Sequence, residues 1–109
     1  MRILFDQGTP VPLRGLLSSH QVETAFERGW STLRNSDLLA AAEREGFEVF
    51  VTTDKNLRNQ QNFAGLRIAI VVLTSTSWPR IQKAATAVKQ AIDTALPGVS
   101  RKWRSHKIS

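Results

Sequence analysis

The 109-residue chain has the length of one domain, and its 41% hydrophobic and 22% charged residues exclude wholesale disorder. The absence of cysteine excludes a disulfide framework, a thiol nucleophile and a cysteine-ligated zinc site, and the longest apolar run, Ile68–Leu73, is far too short for a membrane helix. Lys and Arg number 15 against 9 Asp and Glu, a net charge of +6 of which the segment 97–109 carries +4, so the chain favours polyanionic partners.

The first part of the chain predicts two strands separated by a short helix. The apolar run Arg2–Phe5 is typical of a buried strand and is too short for a helix. Because this strand begins at the N-terminus, we expect no signal peptide and a cytoplasmic protein. Apolar residues recur within Val11–Ser18, which predicts a short helix, and Gln21–Phe26 predicts the second strand.

The middle of the chain predicts a loop, a helix and a third strand. Residues 27–34 are loop-like, and the polar triplet Asn35-Ser36-Asp37 offers helix-capping chemistry. A helix is predicted over about Ser36–Glu45, ended by Gly46. The alternating segment Phe47–Thr52 predicts the third strand.

The last part predicts a strand, a long helix and a tail. Asn56–Asn62 is polar and predicts a helical turn, and Ile68–Leu73 is apolar on both faces, as in a buried strand. After a polar loop, Arg80–Leu96 has the spacing of an amphipathic helix. The basic residues 97–109 are expected to form a flexible tail.

This alternation of strands and helices predicts the α/β class. We expect one three-layer α/β/α domain over residues 1–96, built on a mainly parallel four-stranded sheet. In such sheets the ligand crevice lies beyond the carboxyl ends of the strands.

Three aspartates are the candidate chemical groups. Asp6 and Asp54 each follow a predicted strand, and parallel strands would bring them to one edge of the sheet, whereas the position of Asp37 depends on the loop before it. Clustered carboxylates beside a basic surface suit Mg²⁺ or Mn²⁺ and a phosphodiester. Taken singly, Asp37 is equally typical of a helix cap and Asp54 of a turn, but a carboxylate that ends a buried strand needs a partner or a role.

The residues around these acids favour phosphate rather than a nucleotide cofactor. Arg34, Lys55 and Arg58 flank the acids and are candidate contacts to a nucleic-acid backbone. The chain contains no glycine-rich phosphate loop, and its two histidines, His20 and His106, offer no nucleophilic triad.

In order and spacing, these motifs resemble a PIN domain, and more closely a group of compact bacterial PIN-like proteins. In that fold an acid opens a helix, a glycine ends it, and a strand runs into Thr-x-Asp. The matching stretches are Asp37-Leu-Leu-Ala-Ala-Ala, Gly46, and Thr52-Thr-Asp54. The compact group also has an aspartate strand end followed by proline, as in Asp6-Gln-Gly-Thr-Pro10, and segments like Gly29-Trp30, Asn35 to Leu39 and Thr53-Asp54-Lys-Asn-Leu57 through Gln60-Gln61-Asn62. The resemblance covers about residues 1–96.

This resemblance implies a ribonuclease that uses Mg²⁺ or Mn²⁺ held by Asp6, Asp37 and Asp54, with Thr52 as an accessory polar residue. It also implies RNA as the substrate, a toxin paired with an antitoxin protein, and a homodimer. The chain departs from the pattern at Gln7, where many compact relatives have an acid. It also lacks a clear match to a helical glutamate of full-length PIN domains.

Two other functions stay open. These departures favour a catalytically degenerate module that binds nucleic acid or a partner protein. The tail sequence Arg101-Lys-Trp-Arg mixes cations with an aromatic residue, which suits single-stranded nucleic acid but also fits a disordered chain end.

Overall fold

A computed structural model describes residues 1–55, 57 and 67–95, together with the backbone of Ser100–Trp103. The strands are β1 (Arg2–Phe5), β2 (Gln21–Thr24), β3 (Val49–Thr52), β4 (Ala69–Leu73) and β5 (Ser100–Trp103). The helical segments are a 3₁₀ helix (Val11–Leu17), α1 (Asn35–Arg44), α2 (Trp78–Lys83) and α3 (Ala85–Asp93). The four strands expected before the tail are confirmed, as is the helix that leads into β3.

The strands form one sheet in the order β2-β1-β3-β4-β5, and every neighbouring pair is parallel. Phe5 of β1 is in register with Thr24 of β2 and Val51 of β3, so these three strands end almost level. The α/β class and the parallel sheet are therefore confirmed, with five strands rather than four.

The fifth strand lies inside the segment expected to be a tail. It pairs with β4 from Ile70 opposite Ser100 to Leu73 opposite Trp103. Removing residues 98–109 would therefore remove a strand of the sheet together with the positive charge of the tail. Such a deletion does not isolate what the charge of the tail contributes to RNA binding.

Helical segments cover both faces of the sheet, because alternate side chains of a strand point to opposite faces. Phe5, Val51 and Val71 share one face and pack with buried residues of the 3₁₀ helix, α2 and α3. Leu4, Phe50 and Ile70 share the other face and pack with α1. All side chains of β3 and β4 are buried for this reason.

The chain leaves β1 and β3 toward opposite faces of the sheet. The 3₁₀ helix after β1 contributes Leu13 and Leu17 to the core on the face of Phe5. Leu57, after β3, belongs to the core on the opposite face, that of Leu4. In a parallel sheet of this strand order, the ligand crevice opens at such a divergence, beyond the carboxyl ends of the two strands.

The predicted end of α1 at Gly46 is confirmed, and its geometry explains the glycine. Gly46 has a φ of +82°, and its N–H donates to the Glu43 carbonyl at 3.1 Å, while the Phe47 N–H donates to the Ala42 carbonyl at 3.0 Å. This is the Schellman arrangement, which favours glycine because a Cβ is strained at positive φ.

Gly46→Ala should therefore lower the free energy of unfolding by about 1–2 kcal/mol. Urea denaturation measures this effect, and Gly15→Ala is the matched control. An added Cβ at Gly15 meets nothing within 4 Å, so this second variant should be as stable as the wild type or slightly more stable. Equal stability of the two variants would contradict the assignment.

The predicted helix Arg80–Leu96 differs from the structure. It begins at Trp78 and is divided at Ala84, where φ is −107° and the N–H donates to the Ile81 carbonyl three residues back, at 3.1 Å. This spacing is that of a 3₁₀ turn. Leu96 and, apart from Leu57, the predicted turn Asn56–Asn62 lie outside the described residues. Within the described part of the chain, no helix has the length and apolar character needed to cross a membrane.

Candidate functional site

A cavity of about 420 Å³ opens between the carboxyl ends of β1 and β3, where the segments after the two strands leave toward opposite faces of the sheet. Its walls are Asp6–Gly8 after β1, Thr53–Asp54 after β3, and Ser31 with Leu33–Asn35 and Leu38 from α1 and the loop before it. We call it the carboxylate cavity. A Cβ added at Gly8 would overlap the Thr53 hydroxyl, so glycine allows the loops after β1 and β3 to meet here.

Asp6 is buried and accepts hydrogen bonds on both carboxylate oxygens. Its Oδ1 accepts from the Thr9 N–H at 3.0 Å and the Thr9 hydroxyl at 2.6 Å. Its Oδ2 accepts from the Thr52 hydroxyl at 2.5 Å and, more weakly, from the Thr53 N–H at 3.4 Å. The partner expected for a buried strand-end carboxylate is thus a set of donors that connects the turn after β1 to the end of β3.

Thr52 connects the two acids that line the cavity. Its side chain is fully buried, and its hydroxyl donates to Asp6 Oδ2 while it accepts from the Asp54 N–H at 3.0 Å. Because one hydroxyl serves both groups, the positions of Asp6 and Asp54 depend on each other. Thr52 thus lies between the two acids, and its accessory role in a reaction stays a prediction.

Asp54 is half-buried and is the more accessible of the two acids. Its Oδ2 accepts from the Asn35 amide at 3.0 Å. Asn35 is the first residue of α1 and was expected to contribute to its cap, but the helix has no side-chain cap and the amide binds Asp54 instead. The loop before α1 is further joined to β1 by the Gln7 side-chain amide, which donates to the Ser31 carbonyl.

The structure brings together only part of the predicted site. Asp6 and Asp54 line one cavity, Thr52 is hydrogen-bonded to both of them, and exposed Arg34 lies on the wall. Asp37 and Lys55 are exposed and are not among the lining residues, and Asp37 occupies the first turn of α1, where an acid stabilises the helix dipole. Arg58 lies outside the described residues.

Thr9 and Asn35 are the site residues that sequence reasoning missed. The signal for Thr9 is its spacing, because an aspartate side chain commonly accepts from a backbone N–H two or three residues on. Asn35 carries no such signal, since its contact with Asp54 spans 19 residues and arises only when α1 packs beside β3.

A second cavity, of about 530 Å³, lies on the other side of Asp6, between the segments that follow β1 and β2. We call it the Phe26 cavity, and its walls include Asp6, Gln7, Val11, Arg14, Phe26 and Ser31. The Glu27 carboxylate, also in the wall, forms a two-point ion pair with Arg14, at 2.6 and 3.2 Å. The Arg14 guanidinium, with a further hydrogen bond from the Thr24 N–H, holds the pKa of Glu27 below its usual value.

The donor set at the carboxylate cavity consists of two carboxylates. Among the described residues, no group of three or more His, Cys, Asp or Glu side chains is arranged to hold a metal ion. Mg²⁺ commonly takes one or two protein carboxylates and completes its shell with water and substrate phosphates, so Asp6 and Asp54 fit a cation of this type. They do not form the set of three that the resemblance implies.

No protein-family model, curated protein or solved structure matches this chain.

Proposed function

We propose that this protein is a metal-dependent ribonuclease with the three-layer PIN-like architecture, which hydrolyses RNA phosphodiesters at the carboxylate cavity. One observation carries the proposal: Asp6 and Asp54, which follow neighbouring parallel strands, line one cavity at the divergence of the chain and share the hydroxyl of Thr52. The net charge of +6 supports a polyanionic substrate.

Asp6 and Asp54 are the residues that would hold Mg²⁺ or Mn²⁺. When bound, such an ion polarises a phosphoryl oxygen and lowers the pKa of water. The chain's own residues hold this arrangement: Thr9 and Thr52 orient Asp6, and Asn35 orients Asp54. Arg34, on the cavity wall, supplies positive charge for a phosphate, and we propose the same role for Lys55 and Arg58.

The toxin role, with an antitoxin protein as partner, and the homodimer belong to the same proposal. They follow from the resemblance alone. A protein that covers the carboxylate cavity would block access of RNA to both acids, and an antitoxin is expected to inhibit a toxin in this way.

A second function, a non-catalytic module that binds RNA or a protein, is favoured by a specific observation. Asp37 is exposed and does not line the cavity, and Gln7, where many compact relatives have an acid, donates its amide to Ser31. In this alternative the carboxylates serve only to join β1, β3 and α1. RNA binding would then fall steeply with salt and would not respond to a divalent cation.

Asp54→Asn is the sharpest test of the proposed function. The Asn side chain keeps the size of Asp and an oxygen for Asn35, and the backbone bond to Thr52 is unaffected, so the fold should persist. Calorimetric titration should show that the wild type binds Mn²⁺ and that this variant binds it more than about 10-fold more weakly. A residue that only hydrogen-bonds to a metal ligand already contributes about 10-fold to metal affinity, and a direct ligand should contribute at least as much. Cleavage of a labelled single-stranded RNA should be lost in parallel.

Asp37→Asn is the matched control, because it removes the same charge at an exposed position outside the cavity. We expect Mn²⁺ affinity and cleavage close to those of the wild type. If Asp54→Asn binds Mn²⁺ as well as the wild type, or if the folded wild type does not bind it at all, the proposed metal site is wrong and the non-catalytic module is favoured.

A further inference from the structure

The Phe26 cavity has an exposed apolar wall. Among the described residues, the large hydrophobic side chains that lie exposed are Phe26, at 78%, and Val11, at 57%, and both belong to this cavity. Neither contributes to the two hydrophobic cores. An aromatic ring held at the surface of a concave site is a surface on which a planar ligand can stack.

Hydrogen bonds hold the backbone beside the Phe26 ring in place. Glu27, the next residue, receives two hydrogen bonds from Arg14 and one from the Thr24 N–H at 3.0 Å. In return its own N–H donates to the Thr24 hydroxyl at 3.1 Å. The ion pair also offsets the charge of the Glu27 carboxylate, which reduces its repulsion of an anionic ligand.

The two cavities meet at the end of β1. They share Asp6, Gln7 and Ser31, and they lie on opposite sides of β1, one toward β2 and the other toward β3. Neighbouring strands are about 4.8 Å apart, so adjoining groups of a single ligand can occupy both cavities.

We propose that the Phe26 cavity binds an unpaired nucleobase of single-stranded RNA, stacked on Phe26, while the adjoining phosphate lies at the carboxylate cavity. This inference rests on the proposed function and specifies its substrate class. A nucleobase suits the site better than a protein partner does, because two exposed apolar side chains fall well short of the roughly 1,000 Å² that a specific protein interface buries. Every base has a flat face, so the site would select unpaired over paired RNA rather than a sequence.

Three variants at one position test this inference through RNA affinity measured in EDTA, which is independent of any metal site. Phe26→Ala should weaken binding of a labelled single-stranded oligonucleotide about 5- to 150-fold, the range for a base stacked on an aromatic side chain. Phe26→Trp should restore binding, whereas Phe26→Leu, which keeps an apolar side chain without a ring, should not. Because Phe26 is exposed, thermal unfolding of all three should match the wild type.

An abasic oligonucleotide of the same length and an RNA duplex serve as matched ligands. Stacking requires that Phe26→Ala bind both as the wild type does. An equal loss on the abasic strand, full rescue by Phe26→Leu, or unchanged affinity for the single strand would each overturn the inference. A shift from dimer to monomer in Phe26→Ala, with unchanged RNA affinity, would also overturn it and would assign the ring to an interface between copies of the chain.

The two proposals fail separately. In one outcome, Asp54→Asn leaves Mn²⁺ binding unchanged while Phe26→Ala loses affinity for single strands only. In that case the nucleobase site is supported, and the protein is a module that binds RNA without cleaving it. If Mn²⁺ binding behaves as expected and Phe26→Ala has no effect, the cavity is not a nucleobase site.

Discussion

Asp6→Ala is expected to lower the free energy of unfolding by about 3 kcal/mol, since each buried donor left without its acceptor costs about 1–3 kcal/mol. The carboxylate is buried and accepts from two threonine hydroxyls and two backbone N–H groups, and it joins the turn after β1 to the end of β3. Removing it leaves the Thr52 hydroxyl without its acceptor, whereas the Thr9 hydroxyl keeps the Val51 carbonyl at 3.1 Å.

Urea denaturation measures this loss, and two variants frame it. Asp6→Asn keeps one of the two acceptor oxygens and should cost less than alanine. Asp37→Ala removes an exposed acid from the first turn of α1 and should cost less than about 1 kcal/mol. If Asp6→Ala is as stable as Asp37→Ala, Asp6 does not join the two segments.

The structural role of Asp6 also affects how the activity of Asp6 variants is interpreted. A variant that loses cleavage because β1 and β3 have separated resembles one that has lost a metal ligand. Asp54→Asn reduces this ambiguity, because the bond to Thr52 is made by the backbone N–H and the Asn side chain keeps an oxygen for the Asn35 amide. A loss of Mn²⁺ binding in Asp54→Asn with unchanged urea stability would therefore indicate a ligand.

Thr52→Val is expected to lower the free energy of unfolding by about 2 kcal/mol, although valine has nearly the same shape. The hydroxyl is fully buried, donates to Asp6 Oδ2 and accepts from the Asp54 N–H. Valine leaves that N–H without its acceptor and leaves the Asp6 oxygen with only the long contact to the Thr53 N–H.

Thr52→Ser separates the hydroxyl from the methyl group. It keeps both hydrogen bonds and loses one buried methyl, which costs about 0.8 kcal/mol. Urea denaturation should therefore rank serine above valine. The reverse order would show that Thr52 contributes packing alone.

A double-mutant cycle with Asp6→Ala and Thr52→Val tests whether the two residues act as one unit. Because they share a hydrogen bond of 2.5 Å, the double variant should lose less than the sum of the two single losses. Additive losses would mean that the two side chains stabilise the fold independently.

The strands and the end of α1 follow from local sequence. Ile68–Leu73 is apolar at every position, which is typical of a short strand covered on both faces, and β4 is such a strand. Gly46 ends α1 because the chain must adopt a positive φ there. These features depend on residues close together in the chain, so periodicity and turn chemistry are sufficient to predict them.

The composition of the site depended on contacts between distant segments. That Asp6 and Asp54 share a cavity follows from the rule for parallel strands, and the sequence was sufficient to expect it. Whether Asp37 joins them depends on how α1 lies against β3, and in the structure Asn35, two residues earlier, contacts Asp54 instead. One helical residue turns a side chain by about 100°, so a small difference in where α1 begins exchanges one residue for another.

The sequence by itself determined the class of fold, four strands of the sheet and the two acids at its edge, because alternation and strand-end position are local properties. Only the tertiary structure decided three other features. They are the fifth strand, which a basic segment forms by pairing with β4; the burial of Asp6 among threonine donors; and the exposure of Phe26 beside it. Each depends on what lies across the sheet from a residue, which is set by register and packing rather than by neighbours in the chain.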